Sequence, residues 1–203
     1  MKSLIRAIAT AGCIAGIAVS SVPTFAQDSG FYAGGAFGQT KAKDACQGVP
    51  ISCDDKDTGW KIFGGYQINK HFGAELGYVD LGQATAAGTV GGVTVNASIK
   101  ATAWELMGVG TLPIADNFSA YGKLGFFRWD AEATASVAVP GAFAVGSLSD
   151  TGTDFTYGLG LKYHFTKNIA ARVEWQRYTN VGNGAGNGKS DVDLLSLGVV
   201  FKF

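Results

Sequence analysis

The sequence has few of the features that mark helical membrane proteins, metalloproteins and nucleic-acid-binding proteins. Beyond residue 26 it has no run of 18 apolar residues, which excludes a transmembrane helix there. Its two histidines, His71 and His164, lie far from the three cysteines, so zinc coordination is not predicted. The 16 basic residues are balanced by 16 acidic residues, which argues against a nucleic-acid partner. We therefore expect no metal, no cofactor and no nucleic acid.

The first 26 residues have the pattern of a cleaved secretory signal peptide. Lys2 and Arg6 precede an apolar run over residues 7–19, and the chain then reaches Ala26, where cleavage by signal peptidase is predicted. Two alternatives are an uncleaved membrane anchor and a lipoprotein site at Cys13. The apolar run is short for an anchor and continues past Cys13, so cleavage after Ala26 is the better interpretation.

Residues 27–203 then form a single mature domain of 203 − 26 = 177 residues. Loss of two basic residues with the signal peptide leaves 14 basic against 16 acidic residues, a net charge of −2. An exported chain reaches an oxidising compartment, so Cys46 and Cys53 are predicted to form a disulfide. Such a bridge would brace an exposed loop, either against proteases or for contact with a receptor.

Alternation of apolar with polar or small residues dominates the mature chain and predicts β-strands. In DFTYGLGLKYHF (154–165) every odd-numbered residue is apolar or aromatic, and every even-numbered residue is polar or glycine. Short and long connections alternate, which is typical of antiparallel hairpins. The long connections GTVGGVTVNAS (88–98) and ASVAVPGAFAVGS (135–147) also alternate, so their strands are expected to continue beyond a membrane. The eight predicted segments are 30–40, 58–68, 72–82, 98–112, 118–132, 152–165, 169–179 and 191–203.

Two all-β architectures use such alternation, and side-chain size distinguishes them. A soluble sandwich or barrel buries its apolar face, whereas a membrane barrel turns that face toward lipid. Here the apolar face carries large aromatics, and the other face carries many glycines and a few charges. Because an eight-stranded barrel has room inside for few large side chains, we predict an eight-stranded antiparallel up-and-down transmembrane β-barrel. An open edge in hydrocarbon leaves backbone groups unpaired, so the last segment must pair with the first.

The same parity assigns side chains to the lumen or to the lipid-facing surface. A charged lumen network is expected to pair internally, because an unpaired buried charge is costly; its predicted members are Lys61, Glu75, Glu105, Lys123, Lys162, Arg172 and Glu174. His164 and Lys202 are placed near the periplasmic mouth.

Trp and Tyr prefer membrane interfaces, and the predicted aromatic girdle consists of Trp60, Tyr66, Trp104, Tyr157, Tyr163 and Trp175. Arg128 and Arg177 share the lipid-facing parity and are placed at the outer headgroup zone.

Four stretches resemble the outer membrane protein A (OmpA) family in its eight-stranded transmembrane domain. They are FGGYQIN (63–69), ELGYVDLG (75–82), IAARVEWQRYTNVG (169–182) and LLSLGVVFKF (194–203). The resemblance implies a gate of interior ion pairs, to which Glu75 and Arg172 correspond, whereas Val109 and Lys162 depart from the family pattern. It also implies that Phe201 and Phe203 form a terminal signal for the barrel-assembly machinery. Because the chain stops at Phe203, the peptidoglycan-binding domain of many family members is not expected.

No arrangement of residues predicts catalysis. Neither histidine has a serine and an acid placed beside it, as a Ser–His–acid site requires. We predict a non-enzymatic bacterial outer-membrane β-barrel with a structural role, exposed loops available for surface interactions and both termini in the periplasm. The alternatives are a small gated ion pore and an adhesin acting through its loops. Expected partners are outer-membrane lipid and lipopolysaccharide, the barrel-assembly machinery, and a host or surface ligand at the loops.

Overall fold

The computed structural model describes residues 29–43, 52–90, 92–182 and 189–203. Within these ranges no helix has the length and apolar character needed to cross a bilayer. The predicted signal peptide and Cys46 lie outside the described residues, so cleavage and the Cys46–Cys53 bridge stay predictions. The described strands are β1 (Gly30–Ala42), β2 (Ser52–Asp54), β3 (Lys56–Gln67), β4 (Phe72–Val90), β5 (Val93–Ala115), β6 (Phe118–Val139), β7 (Ala142–His164), β8 (Ile169–Val181) and β9 (Ser190–Lys202).

Eight of these strands close into a ring. The order around it is β1-β3-β4-β5-β6-β7-β8-β9, and every neighbouring pair is antiparallel. The ring closes because β9 pairs with β1, from Tyr32 opposite Lys202 to Ala42 opposite Val192. The amide of Phe203 extends this seam by donating to the carbonyl of Phe31 at 2.9 Å. The predicted eight-stranded up-and-down barrel is confirmed.

Side-chain hydrogen bonds brace the short turns, which all lie at one end of the barrel, here called the short-turn end. In the β3–β4 turn, Asn69 Oδ1 accepts from the amides of His71 at 2.8 Å and Phe72 at 2.9 Å. In the β7–β8 turn, Thr166 Oγ1 accepts from the amides of Asn168 at 3.2 Å and Ile169 at 3.0 Å. Asn and Thr suit these positions because they satisfy backbone donors that no strand partner reaches.

At the opposite end, four strands extend far past the ring. Strands β4 to β7 have 19, 23, 22 and 23 residues, whereas β1, β3, β8 and β9 have 12 or 13. At about 3.3 Å per residue β5 is roughly 75 Å long, but the apolar band of an outer-membrane barrel is only about 25 Å tall. Residues 83–90, 92–100 and 130–152 therefore project beyond the band as a sheet, here called the arm.

The arm continues the strands through the long connections, as the alternation there predicts. Gly141 has a φ of 90° in the β6–β7 turn, a conformation that glycine adopts without steric cost. Pro140 precedes it with a fixed φ, which suits a tight turn. The short strand β2 pairs with the outer part of β4, from Ser52 opposite Ala87 to Asp54 opposite Thr85. The barrel is thus taller on the side of β4 to β7 than on the side of the other strands.

The lumen holds more large aromatic side chains than side-chain size alone predicts. Phe127, Trp129 and Tyr178 are at most 3% exposed. Neighbouring strands make room by placing glycine opposite an aromatic residue: Tyr32 faces Gly65, Phe63 faces Gly34, Tyr121 faces Gly160 and Trp129 faces Gly152. Each ring lies over the glycine, so the lumen is packed although it is narrow. The expectation that glycines line the lumen is met, but aromatics share that face with them.

We predict that Gly160→Ala destabilises the barrel and that Gly110→Ala does not. A Cβ atom at Gly160 would lie 2.5 Å from Tyr121 Cζ and 2.6 Å from the carbonyl oxygen of Val173. A Cβ atom at Gly110 would approach nothing closer than 4.0 Å. Overpacking of this kind costs about 1–3 kcal/mol, which urea unfolding in detergent micelles measures. Equal unfolding midpoints for the two variants would contradict this packing of the lumen.

Candidate functional site: the charged lumen

Two carboxylates organise the centre of the lumen, and Glu75 on β4 is the first. Its Oε1 lies 2.8 Å from Lys123 Nζ on β6, and its Oε2 lies 3.0 Å from Arg172 Nη1 on β8. The hydroxyl of Tyr32 on β1 donates to Oε2 at 3.3 Å. Residues from four strands thus meet at one buried carboxylate, which links opposite sides of the ring.

Glu174 on β8 is the second carboxylate. Its Oε1 pairs with Lys61 Nζ on β3. Its Oε2 lies 3.1 Å from Lys123 Nζ and 3.7 Å from Arg172 Nη2, and it accepts from the Tyr121 hydroxyl at 2.7 Å. Lys123 and Arg172 therefore lie between both carboxylates. Because all of these groups are almost fully buried, they depend on each other for the interactions that water would otherwise supply.

The neutral amide of Gln176 connects the third carboxylate, that of Glu105, to the centre of the lumen. Gln176 Oε1 accepts from Lys61 Nζ at 2.6 Å, and Gln176 Nε2 donates to Glu105 Oε2 at 2.8 Å. Tyr178 also donates to Glu105 Oε2, at 2.9 Å. Six of the seven charged residues assigned to the lumen thus belong to one network, here called the lumen network: Lys61, Glu75, Glu105, Lys123, Arg172 and Glu174, with Tyr32, Tyr121, Gln176 and Tyr178 as neutral members.

Lys162 is the seventh predicted residue and stands apart from the network. Its Nζ lies 5.4 Å from the ring centroid of Tyr121 and 5.7 Å from that of Tyr32. Within the described ranges no carboxylate forms a salt bridge with it. Arg172, not Lys162, binds Glu75, and its guanidinium also stacks on Phe63 with its Cζ 3.5 Å from the ring centroid. Of the two neighbouring cations, Arg172 is therefore the one that pairs with Glu75.

An apolar cluster fills the lumen on the arm side of the network, and we call it the apolar cap. Phe127 packs edge-on against Tyr178, with 5.1 Å between ring centroids. Around this pair the cluster contains Val79, Leu81, Ala101, Ala103, Trp129, Ala131, Val181, Val192 and Leu194. The cap lies directly above Glu105 and Gln176 because Tyr178 belongs to both groups. Sequence parity places these residues inside except Val181, which a register shift after Tyr178 turns inward, and it does not reveal that they gather at one level.

The lipid-facing aromatics form two belts. Near the arm, Trp60, Tyr78 and Trp104 stack in a row with centroid distances of 5.8 and 5.2 Å, and Phe155, Tyr157 and Trp175 form another row at 6.0 and 5.9 Å. At the short-turn end, Tyr66 contacts Phe31 at 4.8 Å and Tyr163 contacts Phe165 at 5.2 Å. All six predicted girdle residues therefore lie in these belts. The belts also contain Tyr78, Phe31 and Phe155, which share the lipid-facing parity.

Charges on the lipid-facing surface lie beside the arm-side belt. Arg177 Nε and Nη2 bind the two carboxylate oxygens of Asp193 at 2.7 and 2.9 Å. The Arg177 guanidinium also lies 5.2 Å from the Trp175 ring centroid. Arg128, directly opposite Trp104 on the neighbouring strand, is exposed. At the other end, Phe201 and Phe203 are exposed beside the β1–β9 seam, with Phe203 80% accessible.

We predict that Glu75→Gln lowers the free energy of unfolding far more than Asp193→Asn does. The first change removes a charge that Lys123 and Arg172 both contact inside the lumen, and breaking such a buried pair costs about 3–5 kcal/mol. The second removes a partner of the partly exposed Arg177, a type of pair worth about 0–1 kcal/mol. Urea titrations of both variants measure the difference. Similar losses in the two variants would show that the lumen network does not brace the barrel.

The closed ring, the aromatic belts in contact with lipid and the charged interior define an eight-stranded outer-membrane β-barrel. The model of the OmpA-like transmembrane domain matches residues 26–203, and the chain belongs to this family. The chain is 31% identical over 205 residues to outer membrane protein A of Klebsiella aerogenes, covering 97% of this chain and 55% of that protein. It is 34% identical over 182 residues to outer membrane protein A of Yersinia pseudotuberculosis, covering 87% and 49%. The chain thus spans about half the length of these relatives.

Solved barrels share the fold at lower identity. The outer membrane protein OprG from Pseudomonas aeruginosa superposes with a TM-score of 0.54 at 16% identity, over 87% of this chain and 97% of that one. Ail, the attachment invasion locus protein of Yersinia pestis, superposes with a TM-score of 0.52 at 19% identity, over 87% and 98%. At these identities the likeness concerns the fold alone. The eight-stranded outer-membrane barrel predicted from alternation is therefore supported by both family and fold.

Proposed function

We propose that this protein is a structural, non-catalytic barrel whose lumen is closed to ions. The observation that carries the proposal is the filling of the lumen at two successive levels. Glu75, Glu174 and their cations occupy the centre, and the apolar cap of Phe127, Trp129 and their neighbours occupies the arm side. An ion would have to part buried salt bridges and then cross a dry apolar layer, and an unpaired charge in such a layer is costly.

The orientation and assembly of the barrel form part of this proposal. The short-turn end and both termini face the periplasm, and the arm faces the exterior, because bacterial barrels have short periplasmic turns and longer extracellular loops. Arg128 and Arg177 then lie in the outer headgroup zone, where they contact anionic groups of lipopolysaccharide. Phe201 and Phe203, exposed beside the seam, are read by the barrel-assembly machinery. A Cys46–Cys53 bridge braces the first long loop against proteases.

Planar-bilayer recording tests the closed lumen. We expect no conductance steps from the wild type or from Glu75→Ala, because the apolar cap remains intact when the network loses one carboxylate. The expected result separates a structural barrel from a gated pore, in which loss of Glu75 releases Lys123 and Arg172 and opens the lumen. Steps in the wild type, or steps that appear in Glu75→Ala, would replace the structural role with that of a pore.

A second function, protein contact at the cell surface, is favoured by the open edge of the arm. Strand β7 pairs with β8 only over residues 156–164. Among the described residues, its part over 142–154 pairs with β6 alone. An unpaired strand edge offers backbone donors and acceptors to an extended segment of another protein. Phe143 and Leu148 are 70% and 80% exposed on this strand, which supplies apolar contacts beside the edge.

The charge of the arm argues against a polyanionic partner. Ail of Yersinia pestis has been solved in complex with a heparin analogue, sucrose octasulfate. The arm of this chain carries Lys100 as its one cation over residues 83–90, 92–100 and 130–152, against the anions Asp130, Glu132 and Asp150. A sulfated sugar would therefore be repelled by the arm. A protein with an unpaired or extended β-segment fits the arm better.

We predict that Val145→Lys reduces adhesion of bacteria that display the protein and that Ser136→Lys preserves it. Val145 lies on the edge strand β7, where an added lysine hinders pairing with another strand. Ser136 lies directly opposite Val145 on β6, with its side chain on the same face of the arm, and β6 is paired on both sides there. Binding to cultured host cells or matrix proteins is the measurement. Equal loss in both variants would assign the contact to the face of the arm, and loss only on deletion of the first long loop would assign it to that loop.

A further inference from the structure

A cavity opens at the short-turn end of the lumen, and we call it the vestibule. Its volume is about 210 Å³. Its walls come from the short turns and from the first lumen residues of several strands, so it lies between the lumen network and the aqueous phase. Tyr32, whose hydroxyl binds Glu75, forms part of its inner wall. The vestibule is thus separate from the apolar cap at the other end.

The charged side chains that line the vestibule are all basic. Its described lining includes Lys70, Lys162, Lys167, Lys202 and His164, and contains no aspartate or glutamate. Lys70 and Lys167 lie in the β3–β4 and β7–β8 turns at the rim, while Lys162 reaches deepest. Low-dielectric walls lined with charges of one sign concentrate counter-ions between them. The cavity therefore attracts small anions from the aqueous side.

Lys162 is the surplus cation of the lumen. The charges of the lumen network are balanced in number, since Lys61, Lys123 and Arg172 carry three positive charges against the three carboxylates of Glu75, Glu105 and Glu174. Lys162 adds a fourth positive charge, and its described neighbours are the faces of Tyr32 and Tyr121. Those rings offer a weak attraction but no hydrogen-bond acceptor for an ammonium group at this distance. An anion in the vestibule would supply the acceptor.

A second polar group faces the same cavity and has no hydrogen-bond partner in the described part of the chain. Thr111 Oγ1 is buried, makes no hydrogen bond to the described residues and belongs to a residue that lines the vestibule. A buried hydroxyl without a partner is costly. A hydroxyl can donate to an anion, as the ammonium group of Lys162 does. The positive group and the neutral donor thus converge on one space.

We propose that the vestibule binds a phosphate group, held by Lys162 and Thr111 and attracted by the lysines at the rim. Its volume is below the roughly 300–1,000 Å³ of pockets for drug-sized ligands, but it exceeds by far the space that one water needs. Phosphate fits because several strong acceptor oxygens can meet lysine and hydroxyl donors together. The group comes either from inorganic phosphate or from the headgroup of a lipid in the adjacent leaflet.

Titration of the folded mature chain with inorganic phosphate, in non-ionic detergent micelles, tests the proposal. We expect saturable shifts of the amide signals of Thr111 and Lys162 in NMR spectra, and no such shifts with chloride at equal ionic strength. Lys162→Gln should weaken phosphate binding about tenfold, since it removes a charge-assisted hydrogen bond. Lys100→Gln is the matched control, because Lys100 is exposed on the arm and pairs with Asp80 there. It should bind phosphate as the wild type does.

Two further experiments make each outcome decisive. Thr111→Val changes no charge, so weaker binding by this variant assigns the phosphate to the vestibule and not to general attraction by lysines. Nanodiscs of phosphatidylcholine with and without phosphatidic acid, free of inorganic phosphate, distinguish the two sources: shifts that require phosphatidic acid identify a headgroup. Heat-modifiable migration on gels verifies that each variant is folded. Absence of saturation, equal responses to chloride, or wild-type affinity in both Lys162→Gln and Thr111→Val would overturn the proposal.

Discussion

The pairing of every backbone amide within the bilayer is the constraint on which this structure depends. Water is absent from hydrocarbon, so a strand edge there has no alternative partner. The chain meets the constraint by pairing its last strand with its first, from Tyr32 opposite Lys202 to Ala42 opposite Val192. Closure by eight short strands leaves a narrow lumen. The arm lies outside the hydrocarbon, and it is there that the edge of β7 has no partner among the described residues.

The narrow lumen explains both the glycines and the ion pairs. Rings such as those of Tyr32 and Tyr121 fit because Gly65 and Gly160 stand opposite them. Charged groups in the remaining space are nearly dry, so Glu75 and Glu174 are each surrounded by cations and hydroxyls from three strands. The same residues therefore fill the centre of the barrel and connect its walls. At the short-turn end this filling stops, and the vestibule begins with Lys162.

Alternation predicted the ring well because a strand has only two faces. The segment predicted over 169–179 is β8 (Ile169–Val181), and the charged lumen residues were assigned by parity alone. Parity carries no information on depth or on the partner across the lumen. It therefore left open which cation binds Glu75, and it did not reveal that Phe127 and Trp129 gather in one cap. The predicted segment 98–112 is shorter than β5 (Val93–Ala115), and the alternation in the preceding connection predicts the continuation that the structure has.

The unequal strand lengths divide the molecule into two parts that unfold in different ways. Amides in the ring exchange with solvent only when the whole cylinder breaks, since each strand there is held by neighbours on both sides. The outer parts of β4 to β7 form a sheet that is joined to the ring at its base and carries β2 at its β4 edge, so they can separate without disturbing the membrane-embedded wall. The sheet of the arm can thereby diverge in sequence, or be cleaved by proteases, while the closed ring of strands stays folded.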